Sequence, residues 1–205
     1  MYDIVEGKQY IYNETVRERI RTELKLQDKY IVGHVGRFNA VKNHKFMISV
    51  LVELKKIKKD YAIMFVGDGE LKQDIIKQAK EKGVFDSIIF TGIRKDVHNV
   101  LQGMDQFIFP SFNEGLGIGL IEAQASGLPC IANKDGIIPL AKISSLVEFI
   151  SLEEGANKWA AHIDKVRNEN TIRKNMYDVV CQSGFDIIGV TNWLEKFYLK
   201  SKNND

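Results

Sequence analysis

Strand-like and helix-like patterns alternate along nearly the whole chain, and that alternation leaves few folds open. A polar helical stretch, roughly residues 14–26, leads into residues 30–36, a short β-rich run closed by glycine. Apolar Met47, Val50, Leu51, Leu54 and Ile57 then recur at helical spacing behind Asn43, a residue type able to cap a helix. Residues 62–66 read as a fully buried strand, and a helix over about 70–82 follows with Gly83 to end it. Next come a strand over 87–91, a short helix near 96–101, and a strand over 106–109 broken by Pro110. A small-residue helix over about 116–126 stops at Gly127, before strands over 129–132 and around 147–150. The last third reads as three helices, about 153–166, 169–181 and 186–199, with a polar tail over 200–205 expected to fray. About six strands at β/α spacing, joined by right-handed crossovers, predict an α/β fold: a doubly wound parallel sheet with helices on both faces.

A chain of 205 residues suits one such domain, and 44% apolar residues suffice for its core. The expected division is a leader and first helix over 1–29, the main Rossmann-like α/β domain over 30–185, and a C-terminal helix and tail over 186–205. A formal charge of +2 argues against a nucleic-acid partner, which calls for a clustered basic face. Cys130 and Cys181 are too few for a disulfide framework and read as small buried apolar residues of a reduced, cytoplasmic protein. Residues 1–12 lack a signal-peptide pattern, so the sequon at Asn13 is taken as chance. No apolar run approaches the roughly 18 residues of a membrane span.

In a doubly wound sheet the ligand lies beyond the carboxyl ends of the strands, so chemistry is sought in the loops that follow them. After the first strand, Gly36-Arg37-Phe38-Asn39-Ala40-Val41-Lys42 sets two cations around a tight turn at a helix start. Guanidinium offers a fork to phosphate oxygens, ammonium a mobile point charge, and the helix N-terminus adds to both. Two solvated surface cations are the other reading. Gly67-Asp68-Gly69-Glu70-Leu71-Lys72 begins like a dinucleotide fingerprint, but Lys72 stands where the third glycine belongs, and it reads as a tight turn. No Walker A sequence is present. The loop after the fourth strand places Glu114 before three alternating glycines, with Glu122 two turns into a small apolar helix. Carboxylates accept sugar or ribose hydroxyls, and unobstructed amides suit a diphosphate; for Glu122 a structural salt bridge is the alternative. His34, His44, His98 and His162 show no metal-ligand spacing, with His44 read as first-turn helix decoration. Trp159 and Trp193 read as packing residues.

Glu114 and Glu122, with seven residues between them in Glu-Gly-Leu-Gly-(x)4-Glu-Ala, resemble the E-x7-E motif of the retaining glycosyltransferases with two Rossmann-like domains, the GT-B group 1 family. Gly36-Arg37-Phe38 with Lys42-Asn43-His44, Val66-Gly67-Asp68-Gly69, Phe90-Thr91-Gly92, Pro110-Ser111 and Ser126-Gly127-Leu128-Pro129 are similar to further family motifs, in order. The resemblance spans about residues 31–132 and implies a Rossmann-like, C-terminal donor-binding domain for a UDP- or GDP-sugar. It implies that Arg37 and Lys42 hold the diphosphate in place of a metal, with no tightly bound cofactor and no Asp-x-Asp pair. Glu114 would bind the transferred sugar, near the amides of Gly115, Leu116, Gly117 and Ile118. Gly36 would belong to the phosphate loop; Gly92, Ile93 and Arg94 would meet the nucleobase; Glu122 would accept ribose hydroxyls. A glycan or lipid-linked glycan acceptor would need an absent N-terminal domain, joined near Tyr2-Asp3-Ile4, with peripheral membrane attachment of the full bacterial enzyme allowed. Asp135-Gly136-Ile137-Ile138 departs from the family's Gly-Gly-x-x-Glu stretch. A nucleotide-sugar 2-epimerase and a non-catalytic nucleotide- or glycan-binding module are the rival readings.

Overall fold

The computed structural model describes residues 5–169 and 172–202. Its six strands are β1 (Tyr30–Val35), β2 (Tyr61–Val66), β3 (Ile88–Gly92), β4 (Gln106–Phe109), β5 (Cys130–Asn133) and β6 (Val147–Ile150). All pair in parallel, in the order β3-β2-β1-β4-β5-β6. The helices are α1 (Glu14–Glu23), α2 (His44–Ile57), α3 (Lys72–Glu81), α4 (Val97–Gln102), α5 (Ile118–Ala125), α6 (Gly155–Asn168), α7 (Tyr177–Gln182) and α8 (Ile187–Lys202). This is the expected Rossmann-like doubly wound sheet.

Successive strand residues point to opposite faces, and here both faces are covered, which is why the strands read as continuous apolar runs. Val32, Ile63 and Ile108 join Leu51 of α2, Ile75 of α3 and Trp159 of α6 in one core layer. Their neighbours Ile31, Met64 and Phe107 join Val100 of α4, Leu120 of α5 and Val180 of α7 in the other. Among the described residues, no helix is long and apolar enough to cross a membrane.

The strand order has a consequence for function. It reverses direction between β1 and β4, whose residues Val32 and Gln106 are directly paired. The crossovers from these two strands leave on opposite faces of the sheet and open a crevice at their carboxyl ends, where ligands of such sheets bind. The loops that converge there begin at Gly36 and Pro110.

Several local expectations change. Of the helix expected over 169–181, α7 forms, residues 170–171 lie outside the described residues, and residues 172–176 are not helical. There the Arg173 guanidinium donates to the carbonyls of Ser126, Leu101, Gln102 and Met104. Gly127 also lets this segment pass: a Cβ there would lie 2.6 Å from Lys174 O. Helix α8 runs on to Lys202, into the stretch expected to fray; residues 203–205, like Tyr2-Asp3-Ile4, lie outside the described residues. Cys130 is buried as expected, which pushes its thiol up, but Cys181 is exposed. Trp159 is fully buried and donates to Ser151 O (3.0 Å), whereas Trp193 is 61% exposed.

The leading segment is fastened to this body. Arg17 and Arg21 both pair with Asp105, whose carboxylate also accepts the Ile31 amide at the start of β1 (2.6 Å). Ahead of α1, a 3-10 turn (Gly7–Tyr10) packs against α4, α5 and α7, and Val5 forms a parallel bridge with Asp186.

Candidate active site

The two loops at the reversal point meet through Lys42 and Glu114. The Lys42 ammonium lies 2.6 Å from Glu114 Oε1 and 5.0 Å from the centre of the Phe109 ring at the end of β4. Both side chains are mostly shielded, with 19% and 14% of their surface exposed. The glycines make the approach possible. A Cβ on Gly36 would fall 3.2 Å from the Lys42 stem and 2.9 Å from His34 Nε2. Gly117 opens α5 with φ +68°, and its missing side chain leaves room for the Phe109 ring, 3.3 Å from the Cβ position.

Glu114 is held from the other side by the loop after β5. Its amide donates to Gly136 O (2.9 Å), and a Cβ at Gly136 would collide with Ser111 O at 2.3 Å. The departure from the family pattern at Asp135-Gly136 thus keeps the one glycine that contact needs. Beyond Glu114, the amides of Gly115, Leu116, Gly117 and Ile118 form no hydrogen bond among the described residues. Four consecutive open donors at the N-terminus of α5 make a concentrated patch of positive potential.

Arg37 shares an open hollow of about 450 Å³ with Gly67, Asp68, Gly69 and Ile93, and its Nε donates to Glu70 Oε2 at 3.1 Å. Gly67 and Gly69 pack against the backbone of the Gly36–Phe38 turn, so this turn and the first loop are one unit. Gly92, with φ +70°, has open space around its Cβ position, and Ile93 is 79% exposed. Arg94 is not brought to this hollow by its charged end: its guanidinium forks onto Asp96 (2.8 Å twice) and reaches Glu23 (2.7 Å).

Glu122 makes no salt bridge among the described residues. Its Oε1 accepts the hydroxyl of Tyr10 at 2.5 Å, from a segment 112 residues away. Burial raises the Glu122 carboxyl, and the Tyr10 hydrogen bond opposes that rise. Tyr10 went unnoticed in the sequence because neither its spacing nor its neighbours point to a partner so remote.

Two corrections concern imidazoles and a cap. His44 is not helix decoration: it is 2% exposed, stacked on Phe38 at 4.1 Å and set edge-on to His34 at 5.0 Å. Burial, with Lys42 nearby, lowers its pKa to about 4; burial and His44 hold His34 well below its ordinary value. Asn43 stands at the α2 N-cap but in left-handed conformation (φ 53°), and its side-chain amide donates to Pro110 O (3.2 Å) instead of capping. It ties the first loop to the fourth. Among the described residues, no three His, Cys, Asp or Glu side chains are grouped to hold a metal ion.

Comparison with known proteins identifies the family. The chain is 32% identical over 160 residues to EpsF of Bacillus subtilis (strain 168), named provisionally as a glycosyltransferase, covering 78% of this chain and 42% of that protein. It is 27% identical over 181 residues to the UDP-Gal:alpha-D-GlcNAc-diphosphoundecaprenol alpha-1,3-galactosyltransferase of Escherichia coli, covering 84% and 46%. Anabaena Alr3699/HepE, solved in complex with UDP and glucose, superposes with a TM-score of 0.80 at 20% identity, over 98% of this chain and 56% of that one. The chain therefore spans about half the length of the relatives it matches. The profile of the family described as glycosyl transferases group 1 matches residues 16–178, and the chain belongs to that family.

Proposed function

We propose that this chain is the donor half of a retaining glycosyltransferase and binds a nucleoside-diphosphate sugar, UDP- or GDP-linked, at the crevice between β1 and β4. The observation that carries the reading is the Lys42–Glu114 pair beside four unengaged amides at the α5 N-terminus. A diphosphate placed there would find backbone donors, a helix dipole and an ammonium without any of them having to be built. The HepE structure with UDP and glucose supports the ligand class.

In this reading the phosphate draws Lys42 away from Glu114 and Arg37 away from Glu70. The second exchange is cheap, since both members are largely exposed and solvent screens such surface pairs. Freed of Lys42, Glu114 accepts hydroxyls of the sugar. Lys42 and Arg37 then stabilise the charge that grows on the diphosphate as the sugar leaves, a role that a metal would otherwise fill. Glu122 accepts ribose hydroxyls, and Gly92 and Ile93 border the base. Transfer of a hexose or hexosamine to a glycan or lipid-linked glycan calls on a second domain, as the relatives' greater length suggests.

Calorimetric titration with UDP and GDP tests the reading. Binding of one nucleotide is expected, weakened by Arg37→Ala and by Glu122→Ala. Absence of heat with both nucleotides, or unchanged affinity in both variants, would sink it.

A further inference from the structure

The Tyr10–Glu122 contact joins a segment outside the sheet to the carboxylate assigned above to the ribose. We propose that Tyr10 is a positioning residue for nucleotide recognition: its hydroxyl fixes the Glu122 carboxylate so that the second oxygen is presented to the ribose hydroxyls. The inference rests on the donor-domain reading and adds a residue to it.

Glutamate has three side-chain rotors, and an accepting oxygen is useful only where it is held. Among the described residues, the Tyr10 hydroxyl is the hydrogen-bond partner of the Glu122 carboxylate, at Oε1. Oε2 is not among the buried unpartnered atoms, and Glu122 is half-buried, so this oxygen reaches solvent and is free to accept. The division of labour follows: one oxygen is spent on the phenol, and the other keeps two lone pairs for a vicinal diol.

Tyr10 is itself well placed to act as a fixed point. It is 8% exposed, and its ring stands edge-on to His98 of α4 at 6.1 Å. Its 3-10 turn is pinned at the other end, where Gly7 N donates to Asp186 Oδ1 (3.2 Å) and Val5 exchanges backbone hydrogen bonds with Phe185 and Ile187. Burial and the neighbouring Glu122 also push the phenol up, so it remains a donor throughout the neutral range. The turn thus bridges α4, which follows the loop of Gly92 and Ile93, and α5, which carries Glu122. The two sides of the proposed nucleoside slot are fastened by one aromatic side chain.

The test is a titration of the full chain and Tyr10→Phe with UDP and GDP, then with the 2′,3′-dideoxy form of whichever binds. Loss of one positioning hydrogen bond is expected to weaken the ribonucleotide about fivefold. The dideoxy nucleotide, lacking the hydroxyls that Glu122 would accept, is expected to bind both proteins equally. A merely structural Tyr10 would weaken both nucleotides alike, and that result overturns the proposal. So does unchanged ribonucleotide affinity in Tyr10→Phe, or tighter binding, which would make Tyr10 a competitor of the ribose. If the unaltered chain binds neither UDP nor GDP, the donor-domain reading falls and this proposal with it; the other adverse results leave that reading standing.

Discussion

The Lys42 ammonium rests 2.6 Å from the Glu114 carboxylate, above the face of Phe109, and the two residues come from different β/α units on either side of the sheet's point of reversal. Each neutralises the other in a largely shielded position. Removing one partner would therefore leave the other charge shielded and uncompensated.

Replacing Lys42 by Met should leave Glu114 shielded and unpaired, at a cost of about 1–3 kcal/mol in unfolding free energy. Adding Glu114→Gln to that variant should recover part of the loss, because a neutral amide is cheaper to bury than a lone carboxylate. Urea unfolding of both single variants and the double variant checks the coupling. Strictly additive losses would mean that the two charges do not interact.

Gly136 supports Glu114 by its backbone alone. Gly136→Ala places a methyl group within 2.3 Å of Ser111 O and 2.6 Å of Phe112 O, two carbonyls that cannot rotate aside. An overpacking cost of roughly 2 kcal/mol is expected, along with weaker binding of the proposed donor nucleotide as the Glu114 loop shifts. Unfolding midpoints and calorimetry read the two effects separately.

Arg94 offers the converse case. Its guanidinium is committed to Asp96 and Glu23, so Arg94→Ala should change UDP or GDP affinity by less than about twofold and cost about 1 kcal/mol or less in stability. A larger loss of affinity would return Arg94 to the nucleobase slot that the family resemblance implied for it.

His44 ties stability to pH. Its folded pKa of about 4 lies below the ordinary 6.5, so the unfolded chain binds more protons in this window. Stability should accordingly be full above about pH 6.5 and fall as pH drops toward 4, by roughly 3 kcal/mol for this residue. His44→Phe keeps a ring against Phe38 and removes the proton uptake, so its unfolding midpoint should vary less over that range. His34, lowered in the same direction, leaves a residual slope.

Alternating periodicity, glycine stops and the placement of Arg37, Lys42, Glu114 and Glu122 after strands were legible in the residues because each is a local property. Strand order, and with it the direct meeting of Lys42 and Glu114, was decided by tertiary structure. Parallel strands gain the same ladder hydrogen bonds in many orders, and only packing of both faces selects one. Residues 172–176 lost their expected helix for a related reason. Arg173 found several carbonyls of neighbouring loops, and those bonds outweigh a local preference. Burial of His44, the commitment of Arg94 to Asp96 and Glu23, and the reach of Tyr10 to Glu122 belong to the same class. The chain by itself determined which groups stand at the rim of the sheet. The packed fold decided which of them touch, since contact between residues 72 or 112 positions apart depends on the path of everything between them.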